Sequence, residues 1–173
     1  MEFRIETTYN SEALTTMARA LRKTARRKRS RRTRIWSVLV IALALLLMLP
    51  LDGEKFVLDG RTIVTGLAVA AILVALVFED KLNGYIAKRR MLPGLESAVV
   101  TFREDGYTSE TEVGTSEFAY KNITSIAETE NYFVFIFSQN HAQIYDKRRL
   151  TGGSADAFCK FVEEVTEKTV QKI

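Results

Sequence analysis

Two long apolar runs without a charged side chain, Ile35–Leu51 and Ile63–Phe78, constrain this chain more than any other feature. At the helical rise each covers ~25 Å, at the short end of the ~30 Å that a bilayer core requires. Both runs are apolar all round. A helix of that kind belongs either inside a large core or in lipid. A chain of 173 residues cannot bury two such helices in a water-soluble core and still cover them. The expected fold class is therefore membrane α+β. It has a basic lead-in over residues 1–34, a two-helix transmembrane hairpin (35–51 and 63–78), a linker helix over 79–94 and a small antiparallel β domain over 95–173.

A cleaved signal peptide is the rival reading. It needs a short basic segment and a small-residue cleavage site. Here the basic lead-in is 34 residues long, and Met48-Leu49-Pro50-Leu51 offers no such site. Ser30-Arg31-Arg32 matches the core of a twin-arginine export signal, but Thr33-Arg34-Ile35 follows it, and chance is the simpler reading in so arginine-rich a run.

Orientation follows from Lys and Arg near the span ends. Ten of them, from Arg19 to Arg34, precede the first run, and Lys81, Lys88, Arg89 and Arg90 follow the second. Only Lys55 and Arg61 lie between, beside Asp52, Glu54 and Asp59. The chain is expected to be a multi-pass inner (plasma) membrane protein with both termini cytoplasmic, Asp52–Thr62 as a short external loop and Trp36 as an interfacial anchor. Gly66, Ala70, Ala71 and Ala75 in the second run have two readings: close packing of the spans, or the ordinary abundance of alanine in membrane helices. Neither run holds an ionisable residue, which argues against a channel or transporter made by this chain alone.

The net charge of +4 hides a split. Residues 1–34 hold eleven Lys/Arg against three Asp/Glu, whereas residues 95–173 hold eight against thirteen. An acidic C-terminal domain argues against nucleic acid as a partner. The single cysteine, Cys159, excludes an intramolecular disulfide and fits a reducing compartment.

Along the chain, Met1–Thr8 alternates as a short strand, with Phe3 and Ile5 on one side. Asn10 or Ser11 then caps a helix whose apolar stripe is Leu14, Met17, Ala18, Leu21 and Ala25. With no Gly or Pro before Pro50, that helix is expected to run on into the membrane. It carries Arg26, Arg27, Lys28, Arg29, Arg31, Arg32 and Arg34, a cluster suited to anionic lipid. The charges are expected to fan around the axis and attract lipid diffusely, with no aromatic residue or glycine among them to shape a pocket. Pro93-Gly94 ends the linker. Six short β runs follow (98–102, 107–111, 115–120, 123–128, 132–138 and 142–145), a meander, small barrel or curled sheet. Ser154 caps a last helix, expected over 154–172, with Phe158, Phe161, Val162 and Val165 on its buried face.

Strands followed by one amphipathic helix resemble the pleckstrin-homology-like barrel. More specifically, the chain resembles the YcxB-like family of bacterial membrane proteins. The likeness rests on Phe102-Arg103-Glu104-Asp105-Gly106, on Tyr120 with Ile123, on the aromatic strand Tyr132–Phe137, and on a basic corner before the helix. In the family that corner resembles Pro-Lys-Arg-x-Phe. Here it is Asp146-Lys147-Arg148-Arg149-Leu150, without the proline and phenylalanine. The aromatic at Tyr120 is more typically Trp. The resemblance implies an architecture and no activity.

No assembled catalytic constellation is legible. His141 lies in a turn, Cys159 has no histidine base, and Thr151-Gly152-Gly153-Ser154 lacks the lysine of a phosphate loop. The expectation is a membrane-anchored, non-enzymatic interaction or scaffold module without cofactor or metal. Its partners would be anionic membrane lipids and an unidentified protein, with a homo-oligomer left open. An anionic-lipid sensor is the alternative. Lys147, Arg148 and Arg149 are the candidate interaction cluster of the C-terminal domain.

Overall fold

The computed structural model describes residues 2–49 and 58–173. The chain divides into two compact units, one formed by Met1–Arg27 with Asp80–Ile173 and the other by Lys28–Glu79.

The first unit is α+β, with two sheets that are antiparallel except for one strand pair. Strand β1 (Phe3–Thr8) buries Phe3, Ile5 and Thr7 and exposes the residues between them. It pairs antiparallel with β2 (Ser97–Phe102) over its whole length, from Phe3 opposite Phe102 to Thr8 opposite Ser97. Strands β3 (Tyr107–Thr111) and β4 (Gly114–Phe118) continue the sheet, and β8 (Leu150–Thr151) closes on the other side of β1. Gly152 follows β8, where a Cβ would stand 2.3 Å from the Glu2 carbonyl oxygen, so only glycine admits this approach. The second sheet has the order β7-β6-β5-β9, from β5 (Ser125–Glu128), β6 (Tyr132–Ile136), β7 (Ala142–Asp146) and β9 (Val170–Lys172). A 3-10 turn, Lys147–Arg149, carries the chain from β7 into β8 and so from one sheet to the other. The Asp146 amide donates to the Thr7 hydroxyl at 3.0 Å across the same junction.

The core between the sheets is aromatic. The Phe102 ring lies 4.9 Å from Phe158, 5.2 Å from both Tyr107 and Tyr145, and 5.7 Å from Phe135. Phe158 comes from α5 (Ala155–Thr166), which Ser154 caps by accepting from the Ala157 amide. Strand β6 is buried on both faces. Phe133 and Phe135 enter this core, while Tyr132, Val134 and Ile136 meet Ala13, Ala20 and Leu21 of α1 (Ser11–Lys23). Asn10 caps α1, accepting from the Ala13 amide at 2.8 Å.

Two helix boundaries differ from expectation. The helix from residue 11 does not continue into the apolar run but breaks at Thr24. There the hydroxyl and amide both donate to the Ala20 carbonyl, and the Arg26 amide reaches back to the Leu21 carbonyl. A new helix, α2 (Arg27–Leu47), then begins. The last helix stops at Thr166, not at residue 172. Glu167 is left-handed at φ 54°, and the Glu163 carboxylate accepts from the Val170 amide, turning the chain into β9, which pairs parallel with β5.

The second unit contains α2 and α3 (Gly60–Val77), the latter capped by Asp59 accepting from the Thr62 amide. Along α3 only Thr62 and Val69 are buried. It is the one helix among the described residues long and apolar enough to cross a membrane. The expected two-helix transmembrane hairpin, and with it the multi-pass topology, is thus not supported by helix length and composition: among the described residues one candidate span stands where two were expected. Ile35–Leu47, the apolar part of α2, covers ~20 Å, because arginines fill the start of the helix. Pro50 and Leu51 of the first run, and residues 52–57 of the expected external loop, lie outside the described residues. A fifth helix, α4 (Glu79–Arg89), leads back into the first unit.

Candidate membrane-interaction site

The basic run stands on the first turns of α2. Arg27, Lys28, Arg29, Arg31, Arg32 and Arg34 are exposed. Arg26, just before the helix, is half-buried and donates to the Gln139 carbonyl and the Asn140 side chain. Arg34 pairs with Glu79 at 3.4 Å. Among the described residues no carboxylate pairs with Arg27, Lys28, Arg29, Arg31 or Arg32. The charges fan around the helix, as helical spacing dictates.

One face of the run has more than charge. Arg32, Thr33, Trp36, Ser37 and Val40 fall on one side of α2, and Ile72 of α3 stands opposite across a groove of about 660 Å³. Sequence reasoning missed this groove. The Arg32, Trp36, Val40 spacing signals a shared face, but the second wall belongs to another helix.

The basic corner is brought together by the 3-10 turn, and each of its cations is engaged. Lys147 pairs with Glu128 and lies over the Phe133 ring, 4.7 Å from its centroid. Arg148 donates twice to Asp146, at 2.8 and 2.7 Å, and to the Tyr132 hydroxyl. The Arg148 guanidinium holds the Asp146 carboxyl below its usual range. Arg149 reaches Glu6 on β1 at 2.6 Å. These pairs tie the corner to both sheets and leave little bare charge for a ligand.

The first unit also has an apolar cleft of about 490 Å³ at the seam between the edge strands β4 and β7. Leu14, Met17, Met91, Leu95 and Phe118 line it, with Gln143 among them. The Gln143 side-chain oxygen accepts from the Tyr107 and Tyr145 hydroxyls at 2.7 and 2.6 Å. Burial pushes both phenols above their ordinary range, so they stay protonated donors. Burial likewise pushes the Cys159 thiol up to about 11, the opposite of what a nucleophile needs. His141 rests against Phe137, its ring 5.0 Å away. Among the described residues no group of three or more His, Cys, Asp or Glu is placed to hold a metal ion.

Comparison with known families fits the core of the first unit. Residues 102–162 match the family model described as YcxB-like protein. No curated protein matches the chain. The YcxB-like segment begins at Phe102, the centre of the aromatic cluster, and ends at Val162 on the buried face of α5. It takes in the basic corner and the β3–β4 side of the cleft. Strand β1, α1 and the apolar helices lie outside it.

Proposed function

We propose that this chain is a membrane-anchored, non-enzymatic protein. Its α2–α3 segment forms a transmembrane hairpin, and its YcxB-like unit is a pleckstrin-homology-like interaction module on the cytoplasmic side of the plasma membrane. The observation that carries this reading is the pairing of β1 with β2, which puts the chain before α2 and the chain after α3 into one folded unit. An excursion that leaves that unit at Arg27 and returns to it at Asp80 begins and ends in one folded body, which supports two crossings over a single one by α3. Two crossings agree with the exposed Ile35, Val38, Leu39 and Leu43 of α2, and with Val64, Leu67 and Val74 of α3. In water this much contiguous apolar surface would drive aggregation. The shorter apolar part of α2 agrees with a span that starts beneath a ring of headgroup-level arginines.

The cleft between β4 and β7 supports the interaction role, since it combines apolar walls with a few fixed polar groups. Alkaline carbonate extraction tests the anchor: the full chain should stay in the membrane pellet, and its release would overturn the reading. A photo-crosslinking residue at Thr115 tests the module. A discrete adduct abolished by Leu95→Glu is expected; no adduct, or one indifferent to that change, contradicts it.

A second reading, an anionic-lipid sensor, is favoured by the exposed cations from Arg27 to Arg32 that lack carboxylate partners among the described residues. Association of the full chain with liposomes of varied composition separates the two. A sensor changes its crosslinking or protease pattern with anionic fraction, and a simple anchor does not.

A further inference from the structure

We infer that the groove between α2 and α3 seats one anionic glycerophospholipid, with its phosphate at Arg32, Thr33 and Ser37 and its acyl chain along Trp36, Val40 and Ile72. The inference rests on the anchored reading above and specifies one site within it. The order of chemistry along the groove carries it. Arg32 stands at the outer end and has no carboxylate partner among the described residues. Thr33 and Ser37 follow on the same face, and among the described residues neither hydroxyl has a hydrogen-bond partner. The Trp36 indole, 63% exposed, lies beside them, and Val40 and Ile72 complete the inner end.

From Arg32 to Val40 the helix rises ~12 Å. Over that length the wall passes from cation through neutral donors and an amphipathic ring to aliphatic side chains, the sequence of a phospholipid read from phosphate to chain. A guanidinium gives phosphate two parallel donors. A tryptophan ring is at home at the headgroup level. A soluble phosphate would satisfy Arg32 but leave the Val40 and Ile72 end uncovered, so the chemistry favours a lipid source. No other arginine lines the groove. By the ~100° step of the helix, Arg31 points to the opposite side of the axis, Arg34 is paired with Glu79, and Arg29, on the same face, lies a turn before the groove's lining begins.

Trp36 is the only tryptophan, so its fluorescence reports on this groove directly. The full chain is reconstituted into two membranes with the same anionic fraction and the same fraction of brominated chains. The bromine is carried by phosphatidylglycerol in one and by phosphatidylcholine in the other. At 1 M salt the Debye length is ~3 Å and diffuse attraction is screened. The brominated anionic lipid should then remain enriched beside Trp36 by about fivefold, the ratio one charged contact gives. Arg32→Gln should abolish the preference, Arg31→Gln should leave it intact, and added glycerol 3-phosphate should not change it. Equal quenching by both lipids overturns the site while leaving the anchor standing, as does a preference indifferent to Arg32→Gln. Loss of the preference on adding glycerol 3-phosphate makes the ligand a soluble phosphate and overturns the lipid assignment. No quenching by either lipid removes the anchored reading and the site together.

Discussion

Arg22 donates from Nε and Nη2 to the two carboxylate oxygens of Asp80, both at 2.7 Å. This two-point pair joins the last turn of α1 to the first turn of α4, residues 58 apart in sequence. Gly84 presses the same two helices together. A Cβ there would stand 2.8 Å from the Thr15 backbone nitrogen, which cannot move aside as a side-chain tip would. Both partners of the pair are largely withdrawn from solvent. Asp80→Asn should therefore cost ~1–3 kcal/mol, and Gly84→Ala a similar ~1–3 kcal/mol through overpacking. Urea unfolding of the full chain in mild detergent measures both. In a double-mutant cycle, Arg22→Ala and Asp80→Asn should be less costly together than their sum. Strict additivity would mean that the pair is not coupled.

The N-terminal strand should be indispensable to the first unit, including its YcxB-like segment. Phe3 and Ile5 are fully buried, and β1 supplies the register between β2 and β8. A fragment of residues 95–173 alone is expected to be marginal and to gain stability when a peptide of residues 1–9 is added. Phe158→Ala should cost ~3–5 kcal/mol in the full chain, since its ring touches Phe3, Phe102 and Phe133. An unchanged urea midpoint would show that α5 is not docked.

Much of this fold is legible in the sequence where one element decides its own form. The alternation of Phe3, Ile5 and Thr7 announces a strand with one buried face, and Ser154 announces the start of α5. Strand β6 is legible as a strand, but Tyr132–Ile136 is apolar at every position because α1 covers its second face, and only the tertiary structure reveals that cover. The end of α5 is decided by the Glu163 to Val170 bond and by the edge that β5 offers β9, neither of which leaves a local signal. The break at Thr24 contains no Gly or Pro. The basic corner reads as a free cluster until Glu6 and Glu128 arrive from distant strands. The groove on α2 is half legible: its own face follows helical spacing, and Ile72 does not.

Acid should weaken the corner in a definite direction. Hydrogen bonds from Arg148 hold the Asp146 carboxyl below its ordinary range. A depressed native pKa contributes stability that is present above the ordinary carboxylate value and lost as pH falls through the native one. The urea midpoint of the wild-type chain should thus decline below about pH 4, and Asp146→Asn should remove part of that decline. Identical acid slopes for the two proteins would show that the Asp146–Arg148 pair does not contribute.

The basic run as a whole should bind lipid in a salt-sensitive way. Its exposed cations fan around α2, so a peptide of residues 11–34, which lacks α3, has no groove and only diffuse charge. Its affinity for anionic liposomes should rise with anionic fraction and fall steeply toward 1 M salt, where the Debye length is ~3 Å. Replacing Arg27 by Lys should matter little, because no bidentate partner is lost. Strong preference of this peptide for one headgroup at equal surface charge would contradict the diffuse account.

The central claim is that the folded unit built from both ends of the chain lies on one side of a membrane that α2 and α3 cross. The most direct measurement is cysteine accessibility in intact cells, with Cys159 replaced and single cysteines placed at Ser11, Gly60 and Ser154. Labelling by a membrane-impermeant reagent at Gly60 alone, with Ser11 and Ser154 reacting only after permeabilisation, is the predicted result. Labelling of Ser154 from outside, or Ser11 and Ser154 on opposite sides, would contradict the account.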